Sequence, residues 1–290
     1  MFNRMLVPLD GSTNAEVVMP YVIALAANTG TDVVLTSVAR PGISNVEQLH
    51  QAYLERKVEQ VMLRLNEYGI KQVPEVSYRV LTGKPAEEIV KHATEIEADL
   101  ITIASRGASG QVPPLLGHIS TSVLWSTEKP VLLIKSAAEE KADKGGQLIK
   151  KILLPLDSSH AGEAPVEYAR RLAVAFGAEL VLLQVLEPVN LVIGFENLSA
   201  LGMPDNEEIK KVAVSYLTKV EERLKTSDIK TSLEIVWGSA AECILDYADT
   251  GNIDLIAMSA RGRSDISRWV FGSVAEKILH SGNKPLLMMR

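Results

Sequence analysis

The sequence predicts an α/β protein built from two copies of one doubly wound domain, each with a five-stranded parallel sheet. Three observations carry that expectation. Short apolar runs alternate with helical stretches, which implies right-handed βαβ crossovers. Most of the runs are continuous, not alternating in polarity, as expected of strands covered on both faces. The third observation is that the whole pattern occurs twice. Met5-Leu6-Val7-Pro8-Leu9-Asp10-Gly11-Ser12 reappears as Ile152-Leu153-Leu154-Pro155-Leu156-Asp157-Ser158-Ser159, and Val33–Val38 matches Leu180–Val185, both at an offset of 147. Further along the offset is 155, pairing Gly83 with Gly238, Gly107 with Gly262, Gly117 with Gly272 and Pro130 with Pro285. The difference, 155 less 147, puts eight extra residues in the middle of the second copy. Their expected place is Val189 to Glu208, where Gly194, Gly202 and Pro204 suit a surface connection. A period near 150 is a domain duplication and not a solenoid.

In chain order, the first copy predicts strands at Met5–Leu9, Asp32–Val38, Val76–Leu81, Leu100–Ala104 and Val131–Lys135. Helical stretches lie between them near 13–29, 45–69, 85–97 and 118–127, with Pro85 suited to a first helical position. The segment Ser136 to Gln147 (SAAEEKADKGGQ) is polar and ends near two glycines, so it reads as a linker. The expected domains are 1–137 and 148–290.

Composition narrows the function classes. A chain of 290 residues with 47% hydrophobic and 23% charged residues is ordinary for two globular domains. A net charge of -6 gives no electrostatic footprint for a nucleic acid, though backbone N–H groups can still hold one small phosphate group. The single cysteine, Cys243, excludes an internal disulfide and reads as a small buried filler. The longest apolar run, Val17 to Ala27, contains Pro20 and is too short to cross a bilayer. With no visible signal peptide, the expectation is a cytoplasmic protein without membrane contact. His50, His92, His160 and His280 have no metal-ligand spacing and read as surface residues.

The chemistry-bearing residues fall where strands end. Leu100–Ala104 runs into Ser105-Arg106-Gly107-Ala108-Ser109-Gly110, and its copy Leu255–Met258 runs into Ser259-Ala260-Arg261-Gly262-Arg263-Ser264. About ten residues on, Gly117-His118-Ile119-Ser120 and Gly272-Ser273-Val274 each open a helix. Glycines let a backbone approach an anion, the free N–H groups of a helix start point at it, and Ser273 and Arg263 add a donor and a charge. The alternative is that Gly107 and Gly262 only make tight turns and Ser273 is a helix cap. Asp10 and Asp157 end the first strands. Each either caps the following helix or accepts hydrogen bonds from a ribose or an adenine amino group at the switch point of the sheet. Trp269 and Phe271 read as core packing, because copy one has Pro114 and Leu116 there.

These motifs resemble those of the universal stress protein family in tandem two-domain form, over almost the whole chain, twice. The resemblance rests on LVPLDGS and LLPLDSS, the glycine loop, and the endings Glu128-Lys129-Pro130-Val131-Leu132-Leu133-Ile134 and Gly282-Asn283-Lys284-Pro285-Leu286-Leu287-Met288. Nucleotide-binding members carry a loop of the form G-x2-G-x9-G-[S/T]. Copy two reads Ser259-x2-Gly262-x9-Gly272-Ser273, with serine for the first glycine. Copy one reads Ala104-x2-Gly107-x9-Gly117-His118, with alanine and histidine at the outer positions and Pro113-Pro114 inside the loop. The resemblance implies an adenine nucleotide alpha hydrolase-like fold with strand order 3-2-1-4-5. It implies ATP as ligand, or ADP or AMP, with Mg accompanying ATP. The implied site in copy two is Pro155, Asp157 and Val185 around the adenosine, with Ser259, Gly262, Arg263, Gly272, Ser273 and Val274 around the phosphates. A second site would comprise Pro8, Asp10, Val38, Ala104, Gly107, Gly117 and His118, the last donating from its imidazole in place of a hydroxyl.

No G-x4-G-K-[ST] loop, H-E-x-x-H or G-x-S-x-G is present, and no carboxylate pair flanks the loop. The expected function is therefore a stress-response regulator that binds an adenine nucleotide mainly in the second copy, with no catalytic residue and no resident metal. A nucleotide-free scaffold for another protein and a slow ATPase are the alternatives. Pairing of Val131–Lys135 with Leu286–Arg290 inside one chain would give a pseudo-dimer and cover two sheet edges, with a homodimer as a further option. The expected partners are the nucleotide and an unknown regulatory protein.

Overall fold

The computed structural model describes residues 2–42, 45–70, 72–107, 116–135, 148–187, 206–225, 229–262 and 271–290. The linker 136–147, most of the expected insertion, Ala108, Ser109, Gly110, Pro113, Pro114, Trp269 and Arg263 lie outside the described residues. The chain divides into two compact units, one of Met1–Leu148 with Asn283–Arg290 and one of Ile149–Gly282.

The first unit holds strands β1 (Arg4–Pro8), β2 (Asp32–Ala39), β3 (Val76–Thr82), β4 (Leu100–Ala104) and β5 (Val131–Ile134) in the order β3-β2-β1-β4-β5. All of these neighbours are parallel. Its helices are α1 (Thr13–Glu16), α2 (Met19–Thr29), α3 (Val46–Glu67), α4 (Pro85–Glu95) and α5 (His118–Ser126). The second unit repeats the plan with β6 (Lys151–Pro155), a 3-10 turn at Ala161–Glu163, α6 (Val166–Phe176), β7 (Glu179–Leu186), α7 (Asn206–Leu224), β8 (Thr231–Trp237), α8 (Ala240–Thr250), β9 (Leu255–Ser259) and α9 (Ser273–Ser281). Its parallel order is β8-β7-β6-β9. The last strand, β10 (Leu286–Met289), counts with the first unit and pairs antiparallel with β5, Leu287 opposite Leu132.

Burial explains the continuous apolar runs. Every residue of β4, β5, β9 and β10 is buried, as a strand flanked by neighbours and covered by helices requires. In both copies the first strand lies between the second and the fourth. The chain therefore winds one way from β1 to β3, then crosses back to β4, and a crevice opens at the carboxyl ends of β1 and β4, and of β6 and β9. Leu9 N–H to Thr36 C=O and Leu156 N–H to Leu183 C=O, both 2.8 Å, are the last bonds of the first strands. The chain leaves the sheet directly after them, at Asp10 and Asp157.

The helix expected over 13–29 is two helices, α1 and α2. Pro20 stands in the first turn of α2; it has no N–H and its ring conflicts with the carbonyl of Glu16, so the ladder cannot run through. In copy two Pro165 does the same at the N-cap of α6, and only a 3-10 turn precedes it. Two histidines expected at the surface are not there. His92 lies on the inward stripe of α4 with Ile89 and Ala93, and is 8% exposed. His50 is half-buried, its Nδ1 2.6 Å from Ser37 Oγ. Cys243 is a free, half-buried thiol with Sγ beneath Gly238, not a core filler.

Lys135 follows β5 and is buried. Burial pulls its ammonium from 10.5 down to about 8, and the charge of Arg106 adds to the shift. Between those two values the unfolded chain binds more protons than the folded one, so this group makes stability rise with pH through that window; below it the penalty is present in full. Lys135→Met is expected to flatten the rise in urea midpoint between pH 8 and pH 10.5. A variant that keeps the slope of the wild type would show that the ammonium is not desolvated.

Candidate functional site

The site starts from the carboxylate that follows β6. Asp157 Oδ1 accepts hydrogen bonds from Ser159 N–H at 3.0 Å and Ser159 Oγ at 2.6 Å. Ser159 Oγ in turn accepts from Gly162 N–H at 2.9 Å. Copy one has the same arrangement: Asp10 Oδ1 takes Ser12 N–H at 3.0 Å and Ser12 Oγ at 2.5 Å, and Ser12 Oγ takes Ala15 N–H at 3.2 Å. The cap of α1 is therefore Ser12, and the aspartate acts one step back, fixing the serine. Asp157 Oδ2 faces the glycine loop. A Cβ built on Gly262 would come within 2.6 Å of it, so glycine is what lets the carboxylate lie against the loop backbone. Gly107 meets Asp10 Oδ2 in the same way, still more closely.

The other end of the loop opens α9. Gly272 N–H donates to Ala260 C=O at 2.8 Å, and Gly117 N–H to Ser105 C=O at 2.7 Å, so each loop is closed by one backbone bond at its base. Gly272 is the N-cap and brings no side-chain acceptor. The first helical bond, Glu276 N–H to Gly272 C=O at 2.9 Å, leaves the N–H groups of Ser273, Val274 and Ala275 ahead of the ladder. Gly272 itself has φ -65° and ψ 147°, which any residue adopts, and a Cβ there would meet only Ala260 C=O at an ordinary 3.6 Å. Neither the backbone angles nor packing among the described residues demands glycine at this place.

These pieces line one cavity of about 790 Å³ in the second unit. Of the residues expected for the copy-two site, Pro155, Asp157, Val185, Ser259, Gly262, Gly272, Ser273 and Val274 all line it. Arg263 lies outside the described residues. The sequence reading missed the far wall. Ile209, Val212 and Ala213 reach the cavity from the start of α7, and Ala240 and Ile244 from α8. Their helical spacing marks an inward face, yet nothing local says that the face borders a cleft and not a filled core. It also passed over Arg261, whose Nε is buried without a hydrogen-bond partner among the described residues. Among these, the charged lining groups are Asp157, Glu187, Glu208 and Arg261.

In copy one the expected residues sit at matching places. Pro8 ends β1, Val38 lies near the end of β2, Ala104 ends β4 and is buried, and Gly117 is the N-cap of α5. His118 opens that helix and is exposed. Asn14 Nδ2 donates to Gly107 C=O at 3.2 Å. The surroundings differ. The buried stripes Leu54, Val61, Leu65 of α3 and Ala213, Val220, Leu224 of α7 share one spacing, which sets His50, Tyr53 and Leu54 against Ile209, Val212 and Ala213. Tyr53 Oη donates to Glu16 at 2.9 Å, and Lys57 pairs with Glu16 at 2.7 Å. Burial, the bond to Glu16, and the charges of Glu16 and Asp10 push the Tyr53 hydroxyl well above the usual phenol range; this much is shared, because burial, Glu163 and Asp157 push up the hydroxyl of Tyr216 on α7 in the same way. At the helix start, Ser120 Oγ donates to Ser105 C=O, 2.9 Å away, where copy two has Ala275.

No helix among the described residues is long and apolar enough to cross a membrane. No group of three or more His, Cys, Asp or Glu among them is placed to hold a metal ion.

The sequence of universal stress protein MJ0531 from Methanocaldococcus jannaschii is 29% identical over 148 residues, covering 50% of this chain and 85% of that protein. Universal stress protein Slr1230 from Synechocystis is 24% identical over 316 residues, covering 99% of both chains. In structure, a universal stress protein from Archaeoglobus fulgidus superposes with a TM-score of 0.74 at 21% identity, over 100% of this chain and 99% of that one. The family model for universal stress proteins matches residues 1–135 and again residues 148–290. With both halves matched, the chain belongs to the universal stress protein family and carries its domain in tandem.

Proposed function

We propose that this chain is a regulator that binds ATP, or a related adenine nucleotide such as ADP or AMP, mainly in its second copy. The observation that carries the reading is Gly272: among the described residues nothing crowds a Cβ there and its backbone angles suit any residue, whereas a phosphate lying on the start of α9 would favour a glycine. The cavity beside it has apolar walls from α7 and α8, suited to a purine, and a polar rim at the loop. Asp157 and the end of β7 at Val185 would frame the adenosine; Ser273 and the N–H groups of 273–275 would take the phosphates. Mg would arrive with ATP and be held largely by its phosphates. Each helix-terminus charge contact is worth only about 0.3–1 kcal/mol, while micromolar affinity needs about 8 kcal/mol, so the base pocket must supply most of the binding.

Copy one is read as the weaker or silent half. The stripe spacing sets the larger Leu54 of α3 where α7 has Ala213.

Titration calorimetry of the full chain with ATP is expected to give about one site per chain. Two sites of equal affinity would overturn the assignment to copy two. Gly272→Ala combined with Ser273→Ala is expected to weaken binding at least about tenfold, while thermal stability falls by no more than about 1 kcal/mol. Loss of stability with unchanged affinity would make this glycine a structural cap. No binding by the wild-type protein, and no nucleotide released on its denaturation, would leave the scaffold reading in its place.

A further inference from the structure

Ser158 follows the strand-end aspartate and has φ +66°, the left-handed region that a residue with a Cβ enters rarely. Copy one has Gly11 at this position, with φ +82°, where the conformation meets no Cβ conflict. Among the described residues, a side-chain contact from the neighbouring strand reaches this serine. Gln184 Nε2, from β7, donates to Ser158 Oγ at 2.9 Å. Gln184 is 3% exposed, and its other amide atom, Oε1, is buried with no hydrogen-bond partner among the described residues. A buried amide with half its capacity unmet is a poor packing element; an apolar residue of similar length would suit the position better.

We propose that Gln184 is a positioning residue: through Ser158 it locks the turn after β6 and so aims Asp157 at Gly262. The chain path through 158 sets where Ser159 sits, and Ser159 fixes Asp157 Oδ1 through two hydrogen bonds. With that oxygen fixed, Oδ2 is directed at the Gly262 backbone. Residue 184 thereby controls the carboxylate across the width of one strand, at the wall of the same cavity, which both Gln184 and Ser158 line. The same lock is unneeded in copy one. There glycine takes the turn, and the residue matching Gln184, Ser37, bonds to His50 instead.

The effect on affinity rests on the nucleotide reading above; the lock itself does not. The test therefore has two readouts on the full chain: hydrogen exchange at the Ser159 and Gly162 amides without ligand, and ATP affinity by calorimetry. Gln184→Met keeps the length and removes the donor; Ser158→Ala removes the acceptor and keeps the Cβ. Each is expected to speed exchange at both amides and to weaken ATP binding about tenfold, the equivalent of about 1.4 kcal/mol. The melting temperature of Gln184→Met should stay level or rise. Ser158→Gly should exchange and bind like the wild type, and should rescue Gln184→Met in the double variant. Unchanged exchange in both single variants, or a double variant as impaired as Gln184→Met, overturns the proposal. If wild-type protein binds no ATP, the functional reading fails, while the exchange measurements still decide whether Gln184 holds the turn.

Discussion

A carboxylate pressed against a glycine sets the geometry of this fold's crevice. Asp157 leaves β6 with one oxygen fixed by Ser159 and the other against the backbone at Gly262. This contact fixes how near the fourth-strand loop comes to the end of the first strand, and hence the width of the cavity mouth. A side chain at 262 would force the carboxylate to shift, at the expense of its bonds to Ser159. The serine cap, the 3-10 turn and the loop closure at Ala260 are all arranged around that approach. Copy one obeys the same rule with Asp10, Ser12 and Gly107, so the constraint belongs to the domain and not to one copy.

What differs between the copies lies one layer further out. With the carboxylate and loop held alike, the two halves diverge through helices α3 and α7. In α3 a tyrosine, a leucine and a histidine face inward, and their polar atoms are taken up by Glu16 and Ser37. In α7 the matching positions are isoleucine, valine and alanine. Leu54 against Ala213 alone removes three carbons from a buried position. The copy-two cavity takes in Ile209, Val212 and Ala213 from this face. A duplicated domain thus keeps the contacts near the sheet while the side chains on its third helix change in size.

The sheet was legible from the sequence because a short, continuous apolar run suits a strand covered on both faces and little else, and because the repeat showed each strand twice. The glycine loop was legible for a similar reason: Gly107 and Gly262, Gly117 and Gly272 recur at one offset. The break at Pro20 is hidden inside one helical stretch of the pattern, although a proline lacks the N–H that the ladder would need. His92 is deceptive because a histidine reads as polar, whereas its spacing from Ile89 and Ala93 turns it inward. The far cavity wall was not legible at all. Whether an inward helix face meets a strand or a gap depends on the sizes of residues far apart in sequence, such as Ala213, Ala240 and Val185. The role of Ser158 is hidden for a related reason, since its left-handed conformation is held by Gln184, 26 residues later.

The lining charges give a last constraint on how such a cavity can hold a nucleotide. Among the described residues, three carboxylates and one guanidinium line it, a poor match for a triphosphate by formal charge alone. The start of α9 offsets this only in part, at about 0.3–1 kcal/mol per charge contact. A purine compares in size with a large aromatic side chain, which buries about 150–250 Å². At about 25 cal/mol per Å² that burial is worth about 4–6 kcal/mol, several times the helix-terminus contribution. If the proposed nucleotide occupies the cavity, the apolar wall from α7 and α8 would outweigh the phosphate loop in affinity, and the loop would act mainly on orientation. On the proposed reading, the exchange of Leu54 for Ala213 would therefore weigh more than the exchange of His118 for Ser273, since a histidine at the helix start still offers a donor.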